Sequence, residues 1–149
     1  MAIYLGLGTN LGDREMNLIE ARDLLMKHGV LVMGQSEVRE TEPLGGLDQP
    51  MYLNQVIEVQ TELEALELLR VCKEVEREMG REDVQMPGVG NLSFGAPKPK
   101  GPSEWKSRII DIDILIFNDL ELSSPEIQIP HPGNLERDFV MAGIKDLSL

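Results

Sequence analysis

Two aspartates stand two residues apart inside an otherwise apolar run, Arg108-Ile109-Ile110-Asp111-Ile112-Asp113-Ile114-Leu115-Ile116-Phe117. The run is rich in β-branched residues and free of Gly and Pro, which predicts a strand. Side chains alternate along a strand, so Asp111 and Asp113 point to one face while Ile110, Ile112, Ile114 and Ile116 point to the other. Ile109, Leu115 and Phe117 are expected to share the aspartates' face and to wall a pocket there. Neighbouring carboxylates repel each other and resist desolvation, and a bound cation relieves both problems. Hard oxygen ligands at this spacing suit Mg²⁺, which keeps part of its shell for water and phosphate oxygens. Arg108, three residues before the pair, is placed to meet such phosphates. The plainer alternative makes Asp-x-Asp the wet side of an edge strand, and the apolar residues expected beside it argue against that. The pattern points to metal-assisted chemistry on a phosphorylated ligand.

The elements that must hold this strand are legible from the rest of the chain. At 149 residues, with 42% hydrophobic and 27% charged content, it is expected to form one domain, 1–149, with a sizeable core. A net charge of −12 argues against nucleic acid or an anionic membrane as partner. No apolar run reaches the ~18 residues of a membrane span. The single cysteine, Cys72, rules out an internal disulfide framework, and the chain reads as cytoplasmic. Positive charge is concentrated in residues 96–108, where Lys98, Lys100, Lys106 and Arg108 face only Glu104.

Residues Ala2 to Gly8 read as a first strand, Ile3-Tyr4-Leu5 closing on glycines, and Gly6, Gly8 and Gly12 follow as G-x-G-x-x-x-G. Their spacing is one residue too long for a dinucleotide-binding fingerprint, so a glycine-rich turn into a helix is expected, with Asp13 near its N-cap. Leu18, Ala21 and Leu25 predict a helix over 13–28 that stops at Gly29. Residues 30–42 read as a long bent strand with Gly34 as its irregularity, and Tyr52 to Gln60 alternates again. On that strand Asn54 stands out, because an amide can read the donor and acceptor edge of a heterocycle. Leu68, Cys72, Val75 and Met79 predict a second helix over 63–79, closed by Gly80. Residues 82–107 show no periodicity, carry four glycines and four prolines and hold the only tryptophan, Trp105. A segment this long between ordered elements reads as a lid. Past the aspartate strand, Ile127 to Pro132 is an extended piece, and the chain from Phe139 is helical.

The order is β-α-β-β-α-β with a tail, an α+β fold of the ferredoxin-like kind. It has an antiparallel sheet, helices on one face, a long lid loop before the last core strand and a short C-terminal extension. The opposite face is expected to be free for ligands, with Asp111 and Asp113 in the middle of the sheet.

Seven short motifs follow one another in this order: Tyr4-Leu5-Gly6-Leu7-Gly8-Thr9-Asn10-Leu11-Gly12, Thr41-Glu42-Pro43-Leu44-Gly45, Gln49-Pro50-Met51-Tyr52-Leu53-Asn54, Glu76-Arg77-Glu78-Met79-Gly80-Arg81, the aspartate strand, Ile129-Pro130-His131-Pro132, and Glu136-Arg137-Asp138-Phe139-Val140-Met141. In these the chain resembles the 6-hydroxymethyl-7,8-dihydropterin pyrophosphokinases of folate biosynthesis. The resemblance implies transfer of pyrophosphate from ATP to the pterin's hydroxymethyl group, with release of AMP and no covalent intermediate. It implies two Mg²⁺ ions on Asp111 and Asp113, and catalytic roles for Arg81, Arg108 and both aspartates. Thr41, Leu44, Gly45, Tyr52, Asn54 and Phe139 would then bind the pterin. Lys73, Glu76, Arg81, Trp105, Arg108, Ile114, His131 and Arg137 would bind ATP. A monomer with these two small substrates as its only partners is expected. The chain departs from the family pattern in Lys106-Ser107 after the tryptophan, in Glu82-Asp83 after Arg81 and in a longer connection between them. Rival readings are another metal-dependent nucleotide enzyme and a non-catalytic ligand-binding module of the same fold.

Overall fold

The computed structural model describes residues 2–42, 51–80, 109–131 and 137–147. In chain order the elements are β1 (Ile3–Thr9), α1 (Arg14–Lys27), β2 (Leu31–Gln35), β3 (Arg39–Thr41), β4 (Tyr52–Gln60), α2 (Ala65–Glu78), β5 (Asp111–Phe117), β6 (Leu122–Ser123), β7 (Gln128–Ile129) and α3 (Asp138–Leu147). The expected lid, 82–107, lies outside the described residues, as do Leu44, Gly45, Arg81, Trp105 and Arg108.

Local chemistry explains the helix ends. Asp13 caps α1, its Oδ1 accepting the Met16 N–H at 3.1 Å, and Gly29 ends the turn beyond at φ +86°. At the start of α2 the backbone N–H of Glu64 donates to Glu67 Oε1 at 3.0 Å. Leu68, Cys72 and Val75, spaced at three and four, give α2 a face with no solvent exposure.

The main sheet runs β2-β4-β1-β5, with β3 also pairing β4, and every pair is antiparallel. Leu5, Leu7, Ile57, Val59, Ile112 and Ile114 line one face and are buried with the apolar faces of α1 and α2. The single strand expected over 30–42 is instead two. Its register slips between Val32 and Gly34, and Ser36 makes the bend, exchanging backbone and hydroxyl bonds with Val56 at 2.8 and 2.9 Å. The hairpin between β6 and β7 was foreshadowed only by the extended piece at 127–132.

Three expectations are corrected here. Asp111 and Asp113 are not mid-sheet: β5 neighbours β1 as expected, but among the described residues it is an edge strand, because β1 and β4 are the central pair. The aspartates' companions also differ, since the register between β1 and β5 slips where Tyr4 meets Ile116 and Leu5 meets Ile114. Leu115 is the extra residue, and beyond it the alternation reverses. Leu115 and Ile116 therefore pack on the aspartates' face and Phe117 against the helix-side core, where Ile109, ahead of the strand, also packs. Finally, the face opposite α1 and α2 is not wholly free. α3 covers part of it, Val140, Phe139, Ile144 and Leu147 meeting Val56, Leu115, Tyr4 and Ile116.

The seat of α3 is close. A Cβ on Gly143 would lie 2.5 Å from Val56 Cγ2 and 3.3 Å from Ser36 Oγ, and one on Gly34 would lie 2.9 Å from Leu147 Cδ2. Arg39 pairs with Asp146 at 2.9 Å and holds its carboxyl below the usual carboxylate range. Gly143→Ala is expected to lift α3 off the sheet, because the crowded atoms belong to a β-branched side chain on a central strand. The expected loss is about 1–3 kcal/mol, read as a lower melting temperature in thermal unfolding.

Candidate active site

Residues opposite each other in an antiparallel pair point to the same side of the sheet. Gly8 of β1 lies opposite Asn54 of β4 on one side and Asp111 of β5 on the other. Two residues along, on the same face, Gly6 lies opposite Val56 and Asp113. Two rows thus cross the central strand, each with a glycine in the middle. With neighbouring strands about 4.8 Å apart, roughly 10 Å separates the Asn54 and Asp111 backbones, with no side chain between them. A Cβ on Gly8 would lie 3.3 Å from Asn54 Oδ1 and 3.7 Å from Tyr52 Cδ1. One on Gly6 would touch the Leu115 side chain at 3.4 Å. The result is a trough over Gly8, floored by backbone, with the Asn54 amide on one bank and the half-buried Asp111 on the other. Over Gly6 the buried Leu115 side chain fills the next row, which ends on half-buried Asp113.

The bank on β4 is orientated by hydrogen bonds. Asn54, 8% exposed, donates from Nδ2 to Thr41 Oγ1 at 2.6 Å and to the Arg39 carbonyl at 3.4 Å. Its Oδ1 is the atom nearest Gly8. Phe139 closes the far end from α3, with the Arg137 guanidinium 4.3 Å over its ring.

The bank on β5 is held from three directions. At its start the Thr9 hydroxyl donates to the Ile109 carbonyl, and Asn17 Nδ2 bonds Thr9 Oγ1 at 3.0 Å and the Leu11 carbonyl at 2.7 Å. On the outer edge the Ile112 N–H donates to Glu76 Oε2 at 2.8 Å. Further along, the His131 N–H donates to the Leu115 carbonyl at 2.9 Å. Lys73 Nζ stands 3.6 Å from the other oxygen of Glu76.

The structure therefore gathers Thr41, Tyr52, Asn54, Asp111 and Asp113 about the trough, with Phe139 and Arg137 at one end. Lys73, Glu76 and His131 lie along the outer side of β5. Ile114 is placed elsewhere: its side chain is buried in the helix-side core, away from the aspartates' face. Sequence reasoning missed the part played by Gly6 and Gly8, reading them as the glycines on which the first strand closes toward its turn. Both lie inside β1, and only Gly12, at φ +65°, belongs to the turn. The signal was available, since glycine inside a strand often marks close approach by a ligand.

The donor set fits a hard cation with oxygen-rich company. Among the described residues no three His, Cys, Asp or Glu side chains gather in a way that could hold a metal ion alone. Two carboxylates on one face, next to a gap that a Cβ would fill, leave most of a six-oxygen shell to water or to a ligand, as Mg²⁺ prefers.

Behind the trough, burial pushes the Cys72 thiol well above its ordinary range, and the nearby charges of Glu76 and Asp113 push it further in the same direction. Cys72 therefore stays protonated and inert in the folded chain. At about pH 8 the native protein is expected to release no chromophore from a disulfide thiol reagent, and to release one equivalent once unfolded in guanidinium. Rapid reaction of the native protein would show that the seam between α2 and β5 is open.

Comparison with known proteins gives the chain a family. A family model described as 7,8-dihydro-6-hydroxymethylpterin-pyrophosphokinase matches residues 4–148. The 2-amino-4-hydroxy-6-hydroxymethyldihydropteridine pyrophosphokinase of Bacillus subtilis is 35% identical over 145 residues, covering 97% of this chain and 76% of that protein. The enzyme of the same name from Porphyromonas gingivalis is 33% identical over 147 residues, 98% of this chain and 90% of its own. A folate synthesis bifunctional protein of Arabidopsis thaliana is 37% identical over 145 residues, which are 97% of this chain but 26% of that longer protein.

Proposed function

Because the chain belongs to the 7,8-dihydro-6-hydroxymethylpterin-pyrophosphokinase family, we propose that it transfers the β,γ-pyrophosphoryl group of ATP to 6-hydroxymethyl-7,8-dihydropterin. The new bond joins the pterin's hydroxymethyl oxygen to the β-phosphorus. The bond that breaks joins that phosphorus to the α,β-bridging oxygen, so AMP leaves and the hydroxyl proton is given up. The single observation that carries this reading is the row Asn54–Gly8–Asp111, which sets an amide and a carboxylate on opposite banks of a gap in one sheet. The sheet order, read as the ferredoxin-like arrangement, supports it.

In this reading the pterin ring lies over Gly8. Asn54 Oδ1 faces the gap as an acceptor for the ring's N–H edge, because its Nδ2 is turned to Thr41. Tyr52 and Phe139 supply aromatic faces. Asp111 and Asp113 hold two Mg²⁺ ions, which when bound neutralise the polyphosphate. Arg81 and Arg108 add charge to the phosphates, and Trp105, His131, Arg137 and Lys73 contact the nucleotide. The segment 82–107 serves as the lid. Phosphoryl-type transfer asks mainly for alignment and charge neutralisation, so no protein nucleophile is required. The reading places the protein in the cytoplasm as a monomer. Its one cysteine, kept as a buried thiol, agrees with a reducing compartment. Among the described residues no helix is long and apolar enough to cross a membrane.

The test is a product assay with ATP, Mg²⁺ and hydroxymethyldihydropterin. AMP is expected to appear in step with pterin pyrophosphate; ADP as product would replace this reading with ordinary kinase chemistry. Asp111→Ala and Asp113→Ala should each lower kcat roughly 100-fold or more while leaving the melting temperature near that of the parent.

Gly8→Ala separates binding from folding. A strand interior tolerates alanine better than glycine, so stability should hold or rise by about 0.5–1 kcal/mol. The added methyl would occupy the trough, and pterin affinity measured by calorimetry should drop about tenfold or more. Unchanged affinity would place the ring elsewhere.

A further inference from the structure

An edge strand must have its outer amides answered by something other than another strand. On β5 the amide concerned is that of Ile112, the residue between the two aspartates, and its partner is a carboxylate from α2. Glu76 is 1% exposed, more deeply buried than an acidic side chain usually is, and it approaches Ile112 N at 2.8 Å. Fully buried Cys72 and Val75 pack beside it on the same helix, and Lys73 Nζ lies 3.6 Å from its second oxygen. Two backbone bonds separate the held nitrogen from the Cα of Asp111 on one side, and four from the Cα of Asp113 on the other. A shift of that amide would move both carboxylates together.

We propose that Glu76 is a positioning residue: its carboxylate clamps the Ile112 amide and thereby fixes the spacing and height of the two aspartates over the trough. It acts through the backbone of the aspartate strand. The clamp explains why a buried acidic group is kept in a helix that otherwise turns apolar side chains to the sheet. An apolar replacement would leave the Ile112 N–H buried without an acceptor. A glutamine would not, since its amide oxygen accepts in the same place. The metal consequence rests on the pyrophosphokinase reading; the clamp itself does not.

The experiment uses the full chain with two variants and two readouts. Amide hydrogen exchange at Ile112, measured without any ligand, reads the clamp. Mn²⁺ binding with an α,β-methylene analogue of ATP, followed by electron paramagnetic resonance, reads its effect on the metal ligands. In Glu76→Ala, exchange at Ile112 should accelerate about 10-fold or more, and Mn²⁺ affinity should fall about 10–100-fold. Glu76→Gln should keep both values within about threefold of the parent, because the acceptor is retained. Exchange or Mn²⁺ affinity left unchanged in the alanine variant would overturn the proposal. So would a glutamine variant as impaired as the alanine one, since charge and not the acceptor would then be what matters. If the alanine variant does not fold, the glutamine variant decides alone: a tenfold loss in either readout overturns the clamp, and its absence supports it. A parent chain that binds no Mn²⁺ with nucleotide would sink the pyrophosphokinase reading alone, because Ile112 exchange is measured without either.

Discussion

The arrangement depends on a missing layer of side chains. A sheet face normally buries itself under residues that interlock across neighbouring strands. Here the central strand contributes nothing above its backbone at two successive positions on one face; Leu115 reaches over Gly6, and the gap left over Gly8 lies between the Asn54 amide and the Asp111 carboxylate. Such a gap costs packing, and glycine adds the greater entropy loss of the most flexible residue. The molecule offsets this by confining the gap to half of the face. Over the other half α3 sits so close to β4 that only a glycine fits at the contact, and Val56, at the junction, both meets α3 and stands opposite Gly6.

The acidic strand being at an edge has its own logic. Two carboxylates in the middle of a sheet would be flanked by side chains from both neighbours and sealed from water. At the rim they keep one strand neighbour, β1, whose Gly8 adds no side chain beside Asp111. The cost of an edge is a row of unanswered backbone groups, and those near the aspartates are met one by one. Glu76 answers Ile112, the His131 amide answers Leu115, and Thr9 answers Ile109 where the strand begins. The bulge at Leu115 adds a further adjustment. By inserting one residue it turns Leu115 and Ile116 toward α3 and returns Phe117 to the main core, so the same short strand serves both cores.

Much of this was legible without coordinates. The helix at Leu18, Ala21 and Leu25, the amphipathic stripe of α2 and the alternation of β4 are local patterns, and local patterns survive folding because they are what folding buries. Asn54, Tyr52, Thr41 and the aspartates were singled out by type and motif, and they do gather about one gap. Gly6 and Gly8 were misjudged because a glycine reads equally as a turn former and as a bare place in a strand. The side to which Ile116 and Phe117 turn was misjudged because the bulge at Leu115 breaks the period of two that such assignments assume, and Ile109 because it lies before the strand begins.

From the chain alone came the identity of the chemical groups and the places of both main helices and of the strands β1, β4 and β5, since these are carried by residue type and by periodicity over a few turns. Only the tertiary structure decided which strands are central, which face α3 covers, and that Glu76 reaches the amide between the aspartates. Those outcomes depend on pairing between residues 36 to 109 positions apart, as with Glu76 and Ile112 or Glu37 and Asp146. A spacing rule that spans four residues carries no information about partners so far away.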